Sequence, residues 1–139
     1  MKLLVNIDVP DLQAGVDFYC AALPLTLGRI LDEDVAELVG AASLVYLLQK
    51  AASSAPVTGV VHERDYRRHW TPVHLDFVVE DIDQAAKRAI LAGAVPESDC
   101  VEWRGSRCVS FSDPFGHGFC LIELTGSGYL EDAEVLPAP

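Results

Sequence analysis

The stretch from Pro72 to Leu124 holds the residues best suited to chemistry, with His74 near its start and Glu123 near its end. A histidine and a carboxylate that meet in a partly apolar cavity form an acid/base couple near neutral pH. Asp76 follows His74 by two residues, so a strand would set both on one face. His117 lies in the turn-forming run DPFGHGF and reads as structural, because histidine tolerates turn conformations. Trp103, Arg104 and Arg107 precede a hairpin. They either close the mouth of a cavity over an anionic or aromatic ligand or form an ordinary strand edge. Cys20, Cys100, Cys108 and Cys120 show no CxxC pairing and are expected as buried free thiols.

The elements that must position these groups follow from periodicity. Val73, Leu75, Phe77 and Val79 alternate with His74, Asp76 and Val78, the pattern of a half-buried strand. A helix is expected over 82–92, with Gly93 at its C-terminal end. A ragged strand comes next, then strands at 107–112 and 118–124 joined through Asp113-Pro114-Phe115-Gly116. At the start of the chain, residues 2–9 alternate in the same way, Pro10 stops the strand and Asp11 is a helix N-cap. A helix over 11–23 packs Leu12, Val16, Tyr19 and Leu23 inward and ends at Pro24. Short strands are expected at 25–31, 35–39 and 43–49.

Strand, helix, three strands therefore occurs twice. An offset of 70 carries Asp11 onto Asp81, Leu4 onto His74, Asn6 onto Asp76 and Asp8 onto Val78. In the last strands, SLVYLLQ is set against CLIELTG with Tyr46 over Glu123. This pairing turns Val45 and Ile122 toward the helices and Tyr46 and Glu123 away from them. The first module runs over about 1–50 and the second over about 71–126. Between them, 51–70 opens with a small, polar linker composition. It continues as His62–Trp70, dense in charge and aromatic side chains, which reads as a solvated connector, a flap or a dimer contact. The acidic tail, 127–139, reads as frayed.

The phrases HLDFVVEDIDQA and DPFGHGFCLIEL resemble the second half of a vicinal-oxygen-chelate domain. That superfamily holds glyoxalase I, the bleomycin-resistance proteins and the extradiol dioxygenases. The resemblance implies an α+β fold in which two paired βαβββ modules form a cupped mixed sheet, helices on the convex side and a small-molecule site inside. It also implies a homodimer. Metal-using members bring two histidine or glutamine positions and two glutamate positions onto one divalent ion. His74 and Glu123 match the second-module pair, whereas Leu4 and Tyr46 stand at the first-module positions. Leucine cannot ligate, and neutral tyrosine is a poor ligand for a hard divalent ion. Only half a metal set is expected, His74 with Glu123, and no stoichiometric tight Zn or Ni.

The reading that results is a small-molecule-binding protein of the glyoxalase/bleomycin-resistance type. Its cup would be lined by Tyr46, Leu4, Asn6, Asp8, Asp76, Trp103 and Arg104. The alternative is a glyoxalase-like lyase or isomerase, or a ring-cleaving dioxygenase, dependent on Zn, Ni, Fe or Mn, with His74 and Glu123 catalytic. A non-catalytic sensor is a third. Among 139 residues, 21 are acidic and 10 basic, giving a net charge of −11. That balance argues against nucleic acid as a partner, since phosphate binding needs a basic face. No apolar run is long enough to span a membrane, and no leader of signal-peptide character is seen, so a cytoplasmic location is expected.

Overall fold

Two βαβββ units follow one another along the chain, as the repeat implies. The computed structural model describes residues 1–59 and 61–125. The acidic tail lies outside the described residues. The first unit contains β1 (Val5–Val9), α1 (Leu12–Ala22), β2 (Thr26–Leu31), β3 (Val35–Val39) and β4 (Val45–Gln49). The second contains β5 (Leu75–Val78), α2 (Ile82–Ala92), β6 (Val95–Pro96), β7 (Val101–Trp103), β8 (Ser106–Ser112) and β9 (Gly118–Glu123). The ragged strand is thus two short pieces, both paired to β8.

Each unit forms its own mixed sheet, in the orders β1-β4-β3-β2 and β5-β9-β8-β6 with β7 also on β8. The first and last strands of each unit run parallel, β1 with β4 and β5 with β9. The two helices start alike. The Asp11 carboxylate accepts from the Ala14 amide at 2.7 Å, and that of Asp81 from the Gln84 amide at 3.0 Å. α2 ends on Gly93 at φ 110°, a left-handed C-terminal position that glycine adopts without Cβ strain.

Helix α1 lies on β1 and β4. A Cβ added at Gly15 would meet Val9 and Leu47 at 3.2 Å, so these strand residues point at the helix. The buried core continues through both units. Phe18 and Tyr19 of α1 share one cluster with Phe111, Phe115, Phe119 and Leu121 of the second unit, and Phe18 meets Phe115 and Phe119 edge-on. Arg88 of α2 donates to the carbonyls of Ala21 and Leu23 at 2.6 and 2.8 Å, filling acceptors left open where α1 ends. The units are therefore joined through helices and core, with β1 and β5 as facing edges of separate sheets.

Candidate functional site

A cleft of about 380 Å³ opens between β1 and the start of β5. Its apolar wall includes Val5, Leu75, Phe77 and Phe119, and its polar groups include Asn6, Asp8, His74 and His117. Volume and composition suit a small ligand held by apolar surface and oriented by a few polar groups. The Arg64 guanidinium pairs with the Asp8 carboxylate at 2.6 Å. The His117 ring bonds through Nε2 to the Asp8 carbonyl at 2.7 Å, so His117 both lines the cleft and ties the β8–β9 turn to β1. A second cleft, of about 490 Å³, lies where β1 begins and β5 ends, and there Asp76 is lined up with Leu3, Val78 and Val79.

On the sheet face away from α2, His74 Nε2 stands 3.1 Å from Asp76 Oδ1. Cys120 pairs with Asp76 across β5 and β9, and one ligand atom from each of the three lies within 4.8 Å of the others. Ser110 Oγ is 3.3 Å from Cys120 Sγ. All four cysteines are free, but Cys100 is exposed and the other three are half-buried, a correction to the expectation of buried thiols. Burial first, then Cys120, pushes the Cys108 thiol up to about 12.

Glu123 is not in this group. Its Oε2 accepts from the Ile82 amide, the first residue of α2, at 2.9 Å. It pairs in register with Arg107, whose guanidinium binds Asp83 of α2 at 2.9 and 3.0 Å. Glu123 therefore faces the helix, and it is Ile122 that faces away, buried but outside the main core cluster. The reason is a register error in the expected repeat. Val5 pairs with Val45 and Leu75 with Phe119, so an offset of 70 in the first strand corresponds to 74 in the last. Cys120 thus stands opposite Tyr46, and Glu123 opposite Gln49. The geometry agrees, since Gln49 Oε1 accepts from the Leu12 amide, the first residue of α1, at 2.9 Å. The carboxamide and the carboxylate cap equivalent helices.

The remaining expected cup residues scatter. Tyr46 does face away from the helices, but its hydroxyl donates to Glu37 at 2.7 Å, and Glu37 is also held by Arg29 at 3.1 and 3.2 Å. The Arg29 guanidinium, then the Tyr46 hydroxyl, hold the Glu37 carboxyl below its ordinary range. Leu4 precedes β1 and is exposed. Trp103 and Arg104 sit at the β7–β8 hairpin apex, the guanidinium 5.4 Å from the indole centroid. Neither lines the seam cleft, nor do Leu4 and Tyr46. Sequence reasoning missed Arg64, Arg68, Gln49 and Cys120 as site or scaffold residues. The connector is strapped down. Arg68 binds Glu97 at 2.6 and 2.8 Å, and the Tyr66 hydroxyl donates to the Lys50 carbonyl at 2.7 Å.

The sequence profile of the glyoxalase-like domain matches residues 4–122. The chain belongs to the glyoxalase-like domain family. Lactoylglutathione lyase from Agrobacterium tumefaciens is similar in fold at 19% identity and a TM-score of 0.62, covering 88% of this chain and 92% of that one. A glyoxalase/bleomycin resistance protein/dioxygenase from Nocardioides is similar at 19% identity and a TM-score of 0.65, covering 97% and 89%. A V278E mutant of glyoxalase I from Zea mays is similar at 21% identity and a TM-score of 0.62, and the match spans 86% of this chain but 44% of that one. No curated protein matches the chain in sequence. The profile match places this glyoxalase-like domain in the vicinal oxygen chelate superfamily, and the solved structures share its fold. No helix among the described residues is long and apolar enough to cross a membrane.

The superfamily implies a divalent ion, and the donors present decide whether it fits. Of the four positions that are equivalent by register, Leu4 offers no donor atom and the Tyr46 hydroxyl is taken up by Glu37, which leaves His74 and Cys120, while Glu123 lies outside the set and faces α2. The two-module ligand set of this glyoxalase-like domain does not fit the ion, and no chemical step is derived through it.

Proposed function

We propose that this glyoxalase-like domain binds a small amphipathic or planar molecule in the seam cleft. The observation that carries the reading is the cleft itself, with an apolar wall of Leu75, Phe77 and Phe119 facing Asn6, His74 and His117. A flat ligand would lie on the aromatic wall with its polar end toward His74 and Asn6. Tyr46 and Leu4, expected in the lining of the cup, do not line this cleft, and neither does Glu123. The four free cysteines fit a reducing, cytoplasmic setting. Exposed Trp70 and Val73 beside His74, with exposed Val78 further along β5, support a homodimer burying more than about 1,000 Å².

The test is equilibrium binding of a panel of aromatic antibiotics and phenolic metabolites, with Phe119→Ala and His74→Ala as variants. A binder weakened about 10-fold or more by either substitution supports the cleft. Binding that ignores both variants, or turnover of a methylglyoxal–thiol adduct on addition of Zn or Ni, overturns the reading.

A further inference from the structure

We propose that the acidic tail, residues 126–139, docks in the groove between α1 and α2. The inference goes beyond the binding reading and does not depend on it, because no residue of the groove lines the seam cleft.

The groove has a volume of about 400 Å³ and is lined by Ala21 of α1 and by Gln84, Lys87, Arg88, Leu91 and Ala92 of α2. Positions 84, 87, 88 and 91 recur at helical spacing and form one stripe. Leu91 is 89% exposed, and its neighbour Ile90 is 49% exposed. A single exposed leucine is ordinary. The charge beside this one is not ordinary for the chain, whose net charge is −11. Most of its arginines are spent on its own carboxylates: Arg29 on Glu37, Arg64 on Asp8, Arg67 on Asp65, Arg68 on Glu97 and Arg107 on Asp83. Arg88 instead binds the neutral carbonyls of Cys20, Ala21 and Leu23. Lys87 makes no ion pair among the described residues, and Asp83, the one acidic residue of α2, is held by Arg107. An apolar stripe with two cations is complementary to a segment that is both apolar and acidic. The tail has that composition, with Tyr129, Leu130, Val135 and Leu136 around Glu131, Asp132 and Glu134.

The place where the tail begins favours it over a free peptide. Glu123 accepts from the first amide of α2 at 2.9 Å. Thr125 is bonded to Ser106 in both directions, at 2.7 and 3.2 Å. The tail therefore starts two residues from a side chain fixed on the N-terminus of α2. That helix has 11 residues and so spans about 16 Å at 1.5 Å per residue. Residues 126–139 extend to roughly 45 Å at about 3.3 Å per residue, enough to follow the stripe from Gln84 to Leu91. A short tether holds its segment at about millimolar effective concentration, so even weak intrinsic affinity fills the groove ahead of a free competitor.

The experiment is zero-length carbodiimide cross-linking of the full chain, read by peptide mass spectrometry. The chain has three lysines, Lys2, Lys50 and Lys87, which makes the readout selective. Unlabelled and nitrogen-15-labelled chains are mixed in equal amounts, so links within a chain separate from links between copies. The expected result is an amide between Lys87 and Glu131, Asp132 or Glu134 of the same chain, at least about 10-fold above links from Lys2 or Lys50 to the tail. Leu91→Ser and Leu136→Ser each remove an apolar contact without adding charge and should lower the Lys87 link about 10-fold. Leu91→Met should keep it. Leu91 is exposed, so its substitution leaves the core intact, and circular dichroism checks the fold of each variant. Amide NMR signals of residues 84–92 should shift in Leu136→Ser, which alters the tail alone. Equal linking of the tail to all three lysines, a Lys87 link that survives Leu91→Ser, or an unmoved α2 spectrum in Leu136→Ser would each overturn the proposal. So would links predominantly between labelled and unlabelled chains, which would make a second copy the occupant.

Discussion

Glu123 accepts from the first amide of α2, at the helix end where N–H groups lack intrahelical partners and the helix dipole favours a negative charge. Gln49 does the same for α1 without the charge. Glu123→Ala is therefore expected to cost about 1–2 kcal/mol and Gln49→Ala about 1 kcal/mol, read from urea midpoints at unchanged slope. A Glu123→Ala variant as stable as the wild type but deficient in ligand binding would return that carboxylate to a cavity role. Tyr46 offers a second check at this scale. Its hydroxyl and the Arg29 guanidinium both stabilise charged Glu37, the guanidinium contributing more. In Tyr46→Phe the Glu37 carboxyl should titrate at higher pH than in the wild type, followed by NMR of the carboxyl carbon. A downward or null shift would mean that the Tyr46–Glu37 bond is not made in solution.

Among the elements, the strands and helices were legible because their periods are strong. The expected helix at 82–92 is α2 itself, and 35–39 is β3. The face of β9 was not legible. Matching the modules needs the lengths of the loops between helix and last strand, and these differ by four residues, the offset growing from 70 to 74. Setting Tyr46 over Glu123 assumed 77, an odd slip of three, and any odd slip turns every side chain to the other face. The connector was opaque for another reason. Its anchors are long-range, with Arg64 reaching Asp8 and Arg68 reaching Glu97. Gly116 shows how closely it packs. At φ 89°, an added Cβ would lie 2.5 Å from the Tyr66 carbonyl, so Gly116→Ala is expected to free the strap. Acid should act similarly. The Arg68 guanidinium holds the Glu97 carboxyl below its ordinary value. The folded chain then binds fewer protons there than the unfolded one. This stabilisation is complete above the ordinary carboxylate range and fades as pH falls through the lowered value. Tryptic cleavage after Arg67 or Arg68 should be faster at neutral pH in Glu97→Gln than in the wild type. Equal rates would show that the ion pair does not hold the strap.

Across the whole molecule, the question is whether two pseudo-repeats with separate sheets unfold separately. The contacts argue otherwise. The Tyr19 hydroxyl of α1 donates to Asp113 at 2.5 Å inside the core, 94 residues away in sequence. The same carboxylate accepts from the amides of Phe115 and His117 at 2.8 Å, and so organises the turn whose His117 reaches back to β1. Burial, reinforced by Asp113, pushes the Tyr19 hydroxyl well above its ordinary value, in keeping with its role as a donor. Arg88 adds a bond from α2 to the end of α1. Neither unit can lose its structure without stranding buried polar groups of the other. Calorimetry is therefore expected to show one transition, with the calorimetric and van't Hoff enthalpies equal. Tyr19→Phe leaves Asp113 short of a donor in an apolar setting and should cost about 2 kcal/mol, the scale of a buried hydrogen bond to a charged group. Because the bond spans both units, that loss should lower the single transition as a whole. Two resolved transitions, with Tyr19→Phe moving only one of them, would show instead that each βαβββ unit is a folding domain of its own and that the seam cleft lies between independently stable halves.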